Sequence, residues 1–578
     1  MNEQKNLLLA IVLSIVVLFG FDHFFGTKPQ PAPQGQPARE APKAGEPQTP
    51  QGSAPSVPAP AQLQAALPAD PLEKRAKAVE GPRVKISTPS LHGSIALEGA
   101  RIDDVTLARY REHPDLASPE IVLFSPPGAP QPYYAEAGWV SGDSSKIKLP
   151  DGDTVWTASG DQLSPAQPLT LSWENGEGLT FTRTVALDND YMFTITDKVA
   201  NKGQASVSLS PYALVARTGK PKVEGMYILH EGPLGVVDGK LKEMTYEDLD
   251  KATNGVSTEK SKGGWVGVTD KYWLAAVSPG PDLDINTRFL HRRSGEADKY
   301  QVDYLGNAKR LEPGQEVVNV TYVFAGAKQV KLLDGYAEKL GIPRFDLAID
   351  FGWFYFLTKP FFYILQFFNG WFGQFGLAIL ALTVLVKAAL FPLANKSYVA
   401  MSKMKALQPQ LKKLQESYAD DRNRLNQEMM ALYKREKVNP MAGCLPIFIQ
   451  IPVFFALYKV LFVTIEMRHA PFYGWIHDLS APDPTTLFNL FGLIPWSPPS
   501  FLMIGVWPLI MGATMYLQQK LNPQPTDPVQ AKMFMILPFV FTYLLASFPA
   551  GLVIYWSWSN MLSILQQWVI MRRMGVKA

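Results

Sequence analysis

The sequence predicts an α-helical polytopic membrane bundle of six transmembrane helices joined to a large exported antiparallel β-sandwich. Three observations lead there. The chain is 47% hydrophobic overall, yet most of its apolar residues crowd beyond residue 350. Alternation with a period of two runs through roughly residues 80–327. Lys and Arg gather in alternate loops between the long apolar runs. At 578 residues the chain exceeds one ordinary core, so at least two structural units are expected. A net charge of +3 is too small for a general nucleic-acid binder, and the local placement of charge matters more than its total.

The first apolar run, residues 7–21, follows Lys5 and extends to Phe25 with only Asp22 and His23 interrupting it. No small-x-small cleavage pattern follows, and Phe24 and Phe25 suit a membrane interface. Residues 1–26 therefore read as an uncleaved signal anchor with a cytoplasmic amino terminus, the competing reading being a signal peptide. Residues 27–79, rich in Pro, Gln and Ala, lack the apolar side chains that offset chain entropy and read as a flexible linker. Residues 80–341 form the β domain. Runs such as LTLSW (169–173), LTFTRTVAL (179–187) and YMFTITDKV (191–199) alternate between turn-forming ENGEG and DNDY, and VVNVTYVFA (317–325) reads as a last strand. Many short strands with one buried face imply a sandwich. A helix from VKLL to Leu340 closes the domain near Gly341.

Residues 342–373 contain DFGWFYFLTKPFFYILQFFNGWFG, whose Phe, Trp and Tyr suit a helix lying at the membrane surface, with Pro360 expected to break or kink it. The start of the next span is the rival reading. Residues 374–571 carry five spans, at about 374–393, 442–465, 501–519, 533–548 and 551–571. Between the first two lies a loop, 394–438, with Met404, Leu407, Leu411, Leu414 and Tyr418, then Leu425, Met429 and Leu432, at helical spacing around ADDRN. It reads as an antiparallel helical hairpin. Its Lys403, Lys405, Lys412, Lys413, Arg422 and Arg424, with Lys520, Lys532 and the short basic tail 572–578, contrast with the single Arg468 of 466–500. That asymmetry places hairpin and carboxyl terminus in the cytoplasm and the β domain outside. Basic hairpin faces suit ribosomal RNA, a partner protein or anionic lipid, or are simply solvated.

Lys387 lies inside GLAILALTVLVKAALFPL, where a lipid-facing ammonium costs about 2.5–3.5 kcal/mol at the bilayer centre. Either it faces a wet groove or, five residues before Pro392, it snorkels to the surface. Thr383 sits one turn earlier on the same face. The last span repeats the pattern with Tyr555, Ser559, Ser563 and Gln566, and Gln450 adds a polar group from the span at 442–465, although helix–helix hydrogen bonding explains Gln450 equally well. The lone Cys444 reads as a small packed residue. No GxxxxGK[ST], zincin motif or GxSxG is present, and the seven histidines show no metal-ligand spacing.

EKVNPMAGCLPIFIQIPVFFALY (436–458), PFYGWIHDLSAPDP (471–484) and FPAGLVIYWSWSN (548–560) closely resemble the YidC/Oxa/Alb family of membrane insertases. The anchor and β domain resemble its Gram-negative form. The resemblance implies a five-helix core with a hydrophilic groove open to cytoplasm and lipid, a hairpin needed for activity, and a supersandwich-like periplasmic domain similar to sugar-binding mutarotase-like folds. It implies insertion of nascent membrane proteins into the inner membrane, alone or with the Sec translocon and its accessory subunits. No catalytic residue, metal, cofactor or nucleotide is implied. The groove charge in the family is usually Arg; here Lys387 keeps the charge without the planar fork. Thr383, Gln450, Tyr555, Ser559, Ser563 and Gln566 become groove-lining residues, and Tyr555 and Trp556 contacts for the incoming helix. The tail MRRMGVKA is short, so ribosome contact is expected through the hairpin. Two other functions are compatible with parts of the sequence. One is a small-solute transporter or channel, for which no repeated half is visible. The other is a carbohydrate-binding domain on a passive anchor.

Overall fold

Strict alternation makes Leu179–Leu187 and Met192–Asn201 adjacent antiparallel strands, with Val185 opposite Ile195 and Phe181 opposite Val199 in the register. Leu179, Phe181, Arg183, Val185 and Leu187 all point into the core. Arg183 is the exception that tests the pattern. Its inward guanidinium is held by Asp197, with Nε 2.7 Å from Oδ1, and by the carbonyl of Ala100 at 3.2 Å, so the buried charge is both paired and hydrogen-bonded. The structure, a computed structural model, describes residues 71–575 except 143–146, 222–228, 253–255, 295–296, 419–420, 440–444, 495, 497, 500–501 and 523–527. The expected anchor 1–26, the linker up to residue 70, Cys444 and the last three residues of the tail lie outside the described residues.

Among these, two sheets of eleven and nine strands face one another. The larger runs from Val256–Lys262 at one edge through Val207–Thr218 and Tyr133–Val140 to Arg83–Ser87. The smaller runs from Lys240–Glu243 through Glu316–Ala327 and Met192–Asn201 to Thr157–Ala158. Neighbouring strands are antiparallel, apart from the pairing of Arg83–Ser87 with Gln162–Leu163. The large β-rich domain has its core between the inner faces, around Phe181, Phe193, Val215, Trp265, Tyr304 and Phe324.

Ten helices are described. They are α1 (Pro71–Ala78), α2 (Tyr246–Lys251), α3 (Val330–Leu340), α4 (Tyr355–Phe372), α5 (Phe375–Ser417), α6 (Arg422–Arg435), α7 (Leu445–Val463), α8 (Val506–Leu521), α9 (Pro528–Leu545) and α10 (Ala550–Arg573). By length and composition α5 is the one described helix sufficient to cross a membrane, and Gln450–Val463 and Ala531–Leu545 are shorter apolar helices.

Four details differ from the sequence reading. The linker is shorter, because Arg75 of α1 finds a carboxylate partner in Asp104, which draws 71–78 onto the β domain. The β domain is longer, because Ile342, Phe345, Ala348, Ile349 and Phe351 are buried and Phe345 packs edge-on against Trp265 and Phe324. Pro360 does not break α4. It lies in the second turn, where one backbone bond is lost, and the adjacent Lys359 ties that turn to Asp334 at 2.8 Å and Asp346 at 2.7 Å. No helix break marks residue 394, since α5 runs for 43 residues through Pro392 and Pro409 and joins the expected span 374–393 to the first hairpin arm. Tyr398 and Met401 pack against Ile570 of α10, so tertiary contact carries the helix past the proline. The arms then close over Leu407, Leu411 and Leu432, with Asp421 accepting from the Arg424 backbone N–H at 3.0 Å to cap α6.

The β domain meets the bundle at the carboxyl end of α7. Lys459 donates to Asp350 Oδ2 at 2.8 Å, and the same oxygen accepts the His230 backbone N–H at 3.2 Å. Beyond the helix, Glu466 accepts the Val330 N–H at the start of α3 at 3.2 Å. Arg468 donates to the Arg111 carbonyl at 2.6 Å and lies over the Tyr272 and Trp273 rings. Burial pushes the Glu466 carboxyl up to about 7 and pulls the Lys328 amine, enclosed beside Thr269, down to about 8.

Candidate functional groove

Three helices, α5, α7 and α10, bring together polar residues of the expected spans. On α10, Tyr555, Ser559 and Ser563 recur at intervals of four and therefore share one face, and all three are buried. Lys387 of α5 donates from Nζ to Ser563 Oγ at 2.9 Å, while the Ser563 hydroxyl donates onward to the Ser559 carbonyl at 2.9 Å. The chain of donors is consistent: the serine spends its one proton on its own helix and offers a lone pair to the ammonium. Two turns before Ser563, Gln450 of α7 donates through Nε2 to the Tyr555 hydroxyl. Ser559 lies between these two contacts. Lys387 thus turns toward α10 instead of outward along its own helix.

The remaining expected residues fall elsewhere. Thr383 is buried but its hydroxyl donates to the Ile379 carbonyl at 2.7 Å, so its proton is used within α5. Gln566 is half-buried, with an Nε2 that has no hydrogen-bond partner among the described residues. Trp556 stands off the polar stripe, packed edge-on against Phe454 of α7 at 4.8 Å between ring centroids and tilted against Phe541 of α9 at 5.9 Å. Of the hairpin cations, Lys403, Lys412, Lys413 and Arg424 are exposed, Lys405 is half-buried, and the Arg422 side chain lies outside the described residues. Arg424 lies over the Tyr418 ring.

Sequence reasoning missed a second polar seam, on the α8 side of α10. Asn560 donates to Thr514 Oγ1 at 3.2 Å and Gln567 donates to Asn522 Oδ1 at 3.1 Å. The signal was present: positions 560 and 567 are two helical turns apart, on a stripe distinct from 555, 559 and 563. It also missed Lys459, an ammonium within an expected span, whose partner Asp350 stands in the preceding aromatic segment. Two polar seams fix α10 between α8 on one side and α5 and α7 on the other. Large apolar side chains face outward on α9, including Met535, Ile536, Phe539 and Leu544. Among the described residues no group of His, Cys, Asp and Glu could hold a metal ion.

Residues 83–364 match the family model of the YidC periplasmic domain, and residues 367–577 that of the 60Kd inner membrane protein. The membrane protein insertase YidC of Methylorubrum extorquens (strain PA1) is 51% identical over 595 residues, covering 100% of this chain and 96% of that protein. The chain belongs to the YidC family of membrane protein insertases. The YidC of Rhizobium meliloti (strain 1021) is 49% identical over 580 residues, covering 100% of this chain and 97% of its own length. Among solved structures, the crystal structure of an active YidC insertase with its first transmembrane domain resolved aligns with a TM-score of 0.35 at 14% identity, over 84% of this chain and 92% of that one. As a YidC-family insertase the protein acts on membrane proteins at the bacterial inner membrane and carries a periplasmic domain.

Proposed function

We propose that insertion proceeds along the face of α10 that carries Tyr555, Ser559 and Ser563, with Lys387 as its fixed positive charge. In this reading the chain spans the membrane six times, the anchor 1–26 supplying the first span, and both termini are cytoplasmic. A hydrophilic stretch of a nascent protein crosses partway in contact with Lys387, Gln450, Tyr555, Ser559, Ser563 and Gln566, and Thr383 shapes the wall beside them. Each polar group met there replaces hydrogen bonds otherwise lost to hydrocarbon, which lowers the desolvation barrier. The adjoining apolar segment slides past Tyr555 and Trp556 into lipid, and its burial supplies the driving force. No covalent step is needed, so the protein acts without catalytic residue, cofactor or nucleotide.

The observation that carries this reading is the Lys387–Ser563 contact at 2.9 Å, which turns a costly charge toward a neighbouring helix carrying a buried polar row. The exposed basic residues of the hairpin support ribosome or anionic-lipid contact on the cytoplasmic side. The β domain is assigned contact with the Sec translocon and its accessory subunits. The test is depletion followed by complementation with wild type, Lys387→Ala, Lys387→Arg or a variant lacking residues 80–327, scoring protease protection of newly made small membrane proteins. Equal insertion by Lys387→Ala and wild type for every substrate would remove Lys387 from the mechanism. Loss of co-purification with the translocon in the 80–327 deletion alone is the expected result for the β-domain assignment.

A further inference from the structure

Of the chain between α7 and α8, the part that follows Asp483 is apolar. No Asp, Glu, Lys or Arg occurs between Asp483 and Lys520. Phe488, Leu490, Phe491, Leu493, Ile494 and Trp496 are nevertheless exposed, Leu493 at 83%. Leu490 and Phe491 hold their side chains there from left-handed backbone, with φ of 50° and 59°, a conformation that large residues rarely adopt. A solvent loop gains nothing from that arrangement.

Part of its backbone is already hydrogen-bonded within the loop. The N–H of Leu487 donates to the Ile504 carbonyl at 3.1 Å, that of Phe491 to Thr486 at 2.9 Å, that of Ile494 to Asn489 at 3.1 Å and that of Trp496 to Ile494 at 2.8 Å. The Thr486 hydroxyl satisfies the Leu502 carbonyl at 2.8 Å, and the Asn489 side chain reaches the Trp496 carbonyl at 3.4 Å. Lipid-exposed irregular backbone is excluded from the hydrocarbon interior, so a loop paired in part internally suits the headgroup boundary, where water meets the rest.

The root of the loop is fixed to the ends of the bundle helices. Asp483 accepts the Trp507 N–H at 2.9 Å and so caps α8, and the Ala481 carbonyl accepts the Ala550 N–H at the start of α10 at 2.8 Å. Helix α8 has 16 residues, about 24 Å at helical rise, against a hydrocarbon core of ~30 Å. Its apolar surface, with Ile510 and Leu517 exposed, therefore continues into the loop instead of ending at Val506.

We infer that residues 486–494 together with Trp496 form an apolar finger seated in the outer leaflet, taking lipid at the boundary between headgroups and acyl chains. Trp496 suits that boundary, and the absence of charge leaves no preference for anionic over zwitterionic headgroups. The finger holds the short α8, and through Asn560 and Gln567 the helix α10, at a set depth. The inference rests on the orientation proposed above, which places this loop outside.

The test uses the full-length protein with Cys444→Ser, reconstituted into vesicles of phosphatidylethanolamine and phosphatidylglycerol, with an environment-sensitive fluorophore on Leu493→Cys. The expected result is a blue-shifted emission, loss of intensity with lipids carrying a doxyl group near the headgroup, and little loss with aqueous iodide. Iodide quenching without lipid quenching would overturn the finger, and so would a Leu493→Cys disulfide between two copies, which would make the loop a self-association surface. Orientation is read separately from exposed Tyr473→Cys in spheroplasts. Reaction with an impermeant maleimide from outside is expected. Reaction only in inverted vesicles would sink the orientation, and the inference with it, whatever Leu493 reports.

Discussion

At the scale of single residues, the bundle is governed by where each polar proton goes. Lys387 differs from Thr383 in this respect, although both lie on one face of α5: the threonine closes on its own helix, whereas the lysine reaches Ser563. Lys387→Ala is expected to lower insertion of substrates with acidic translocated segments by about tenfold, the size of one charge-assisted hydrogen bond of ~1.5 kcal/mol, with Lys387→Arg near wild type. Pulse-labelling with protease protection checks both. Glu466 gives a pH-dependent counterpart. Its folded carboxyl, at about 7, lies above the ordinary 4.5, so the stability that burial of the neutral acid contributes is present in full below pH 4.5. It is lost as pH rises toward about 7 and changes no further above that, a difference on the order of 3 kcal/mol. The melting temperature of the purified protein should fall across this window, and that of Glu466→Gln should stay flat.

At the scale of elements, α5 shows how context overrides local signals. Pro392 and Pro409 each remove a backbone donor, yet the helix continues because Tyr398 and Met401 gain a surface on α10 and Leu407 and Leu411 gain one on α6. The hairpin therefore depends on a small core. Leu411→Asp is expected to cost about 2–5 kcal/mol locally and to expose the basic arms to trypsin, while the β domain keeps its resistance. A limited-digestion time course with mass spectrometry reads the difference.

At the scale of the molecule, the β domain and the bundle share α7. Near its carboxyl end that helix binds Asp350 through Lys459, and in its first half it binds α10 through Gln450. Lys459→Ala combined with Arg468→Ala leaves Asp350 and the Arg111 carbonyl without these partners. The thermal transition, single when the units melt together, is expected to divide into two in calorimetry. A single unshifted transition would show that the joint contributes little coupling.

The period of two and the long apolar runs determined the large β-rich domain and the helical remainder, and singled out the candidate groove residues, because these depend on local repetition that a chain displays in one dimension. The three family motifs determined the function. Only the tertiary structure decided which polar residues meet. Tyr555, Ser559 and Ser563 were legible as a stripe, but their pairing with Gln450 and Lys387 depends on the packing of three helices distant in sequence. Asn560, Gln567 and Lys459 went unread for the same reason: a polar side chain in an apolar helix declares a need for a partner and does not say which. The boundaries moved for a related cause. Arg75 leaves the linker for Asp104 and Phe345 joins the β core because burial and pairing supply free energy that local propensity does not encode.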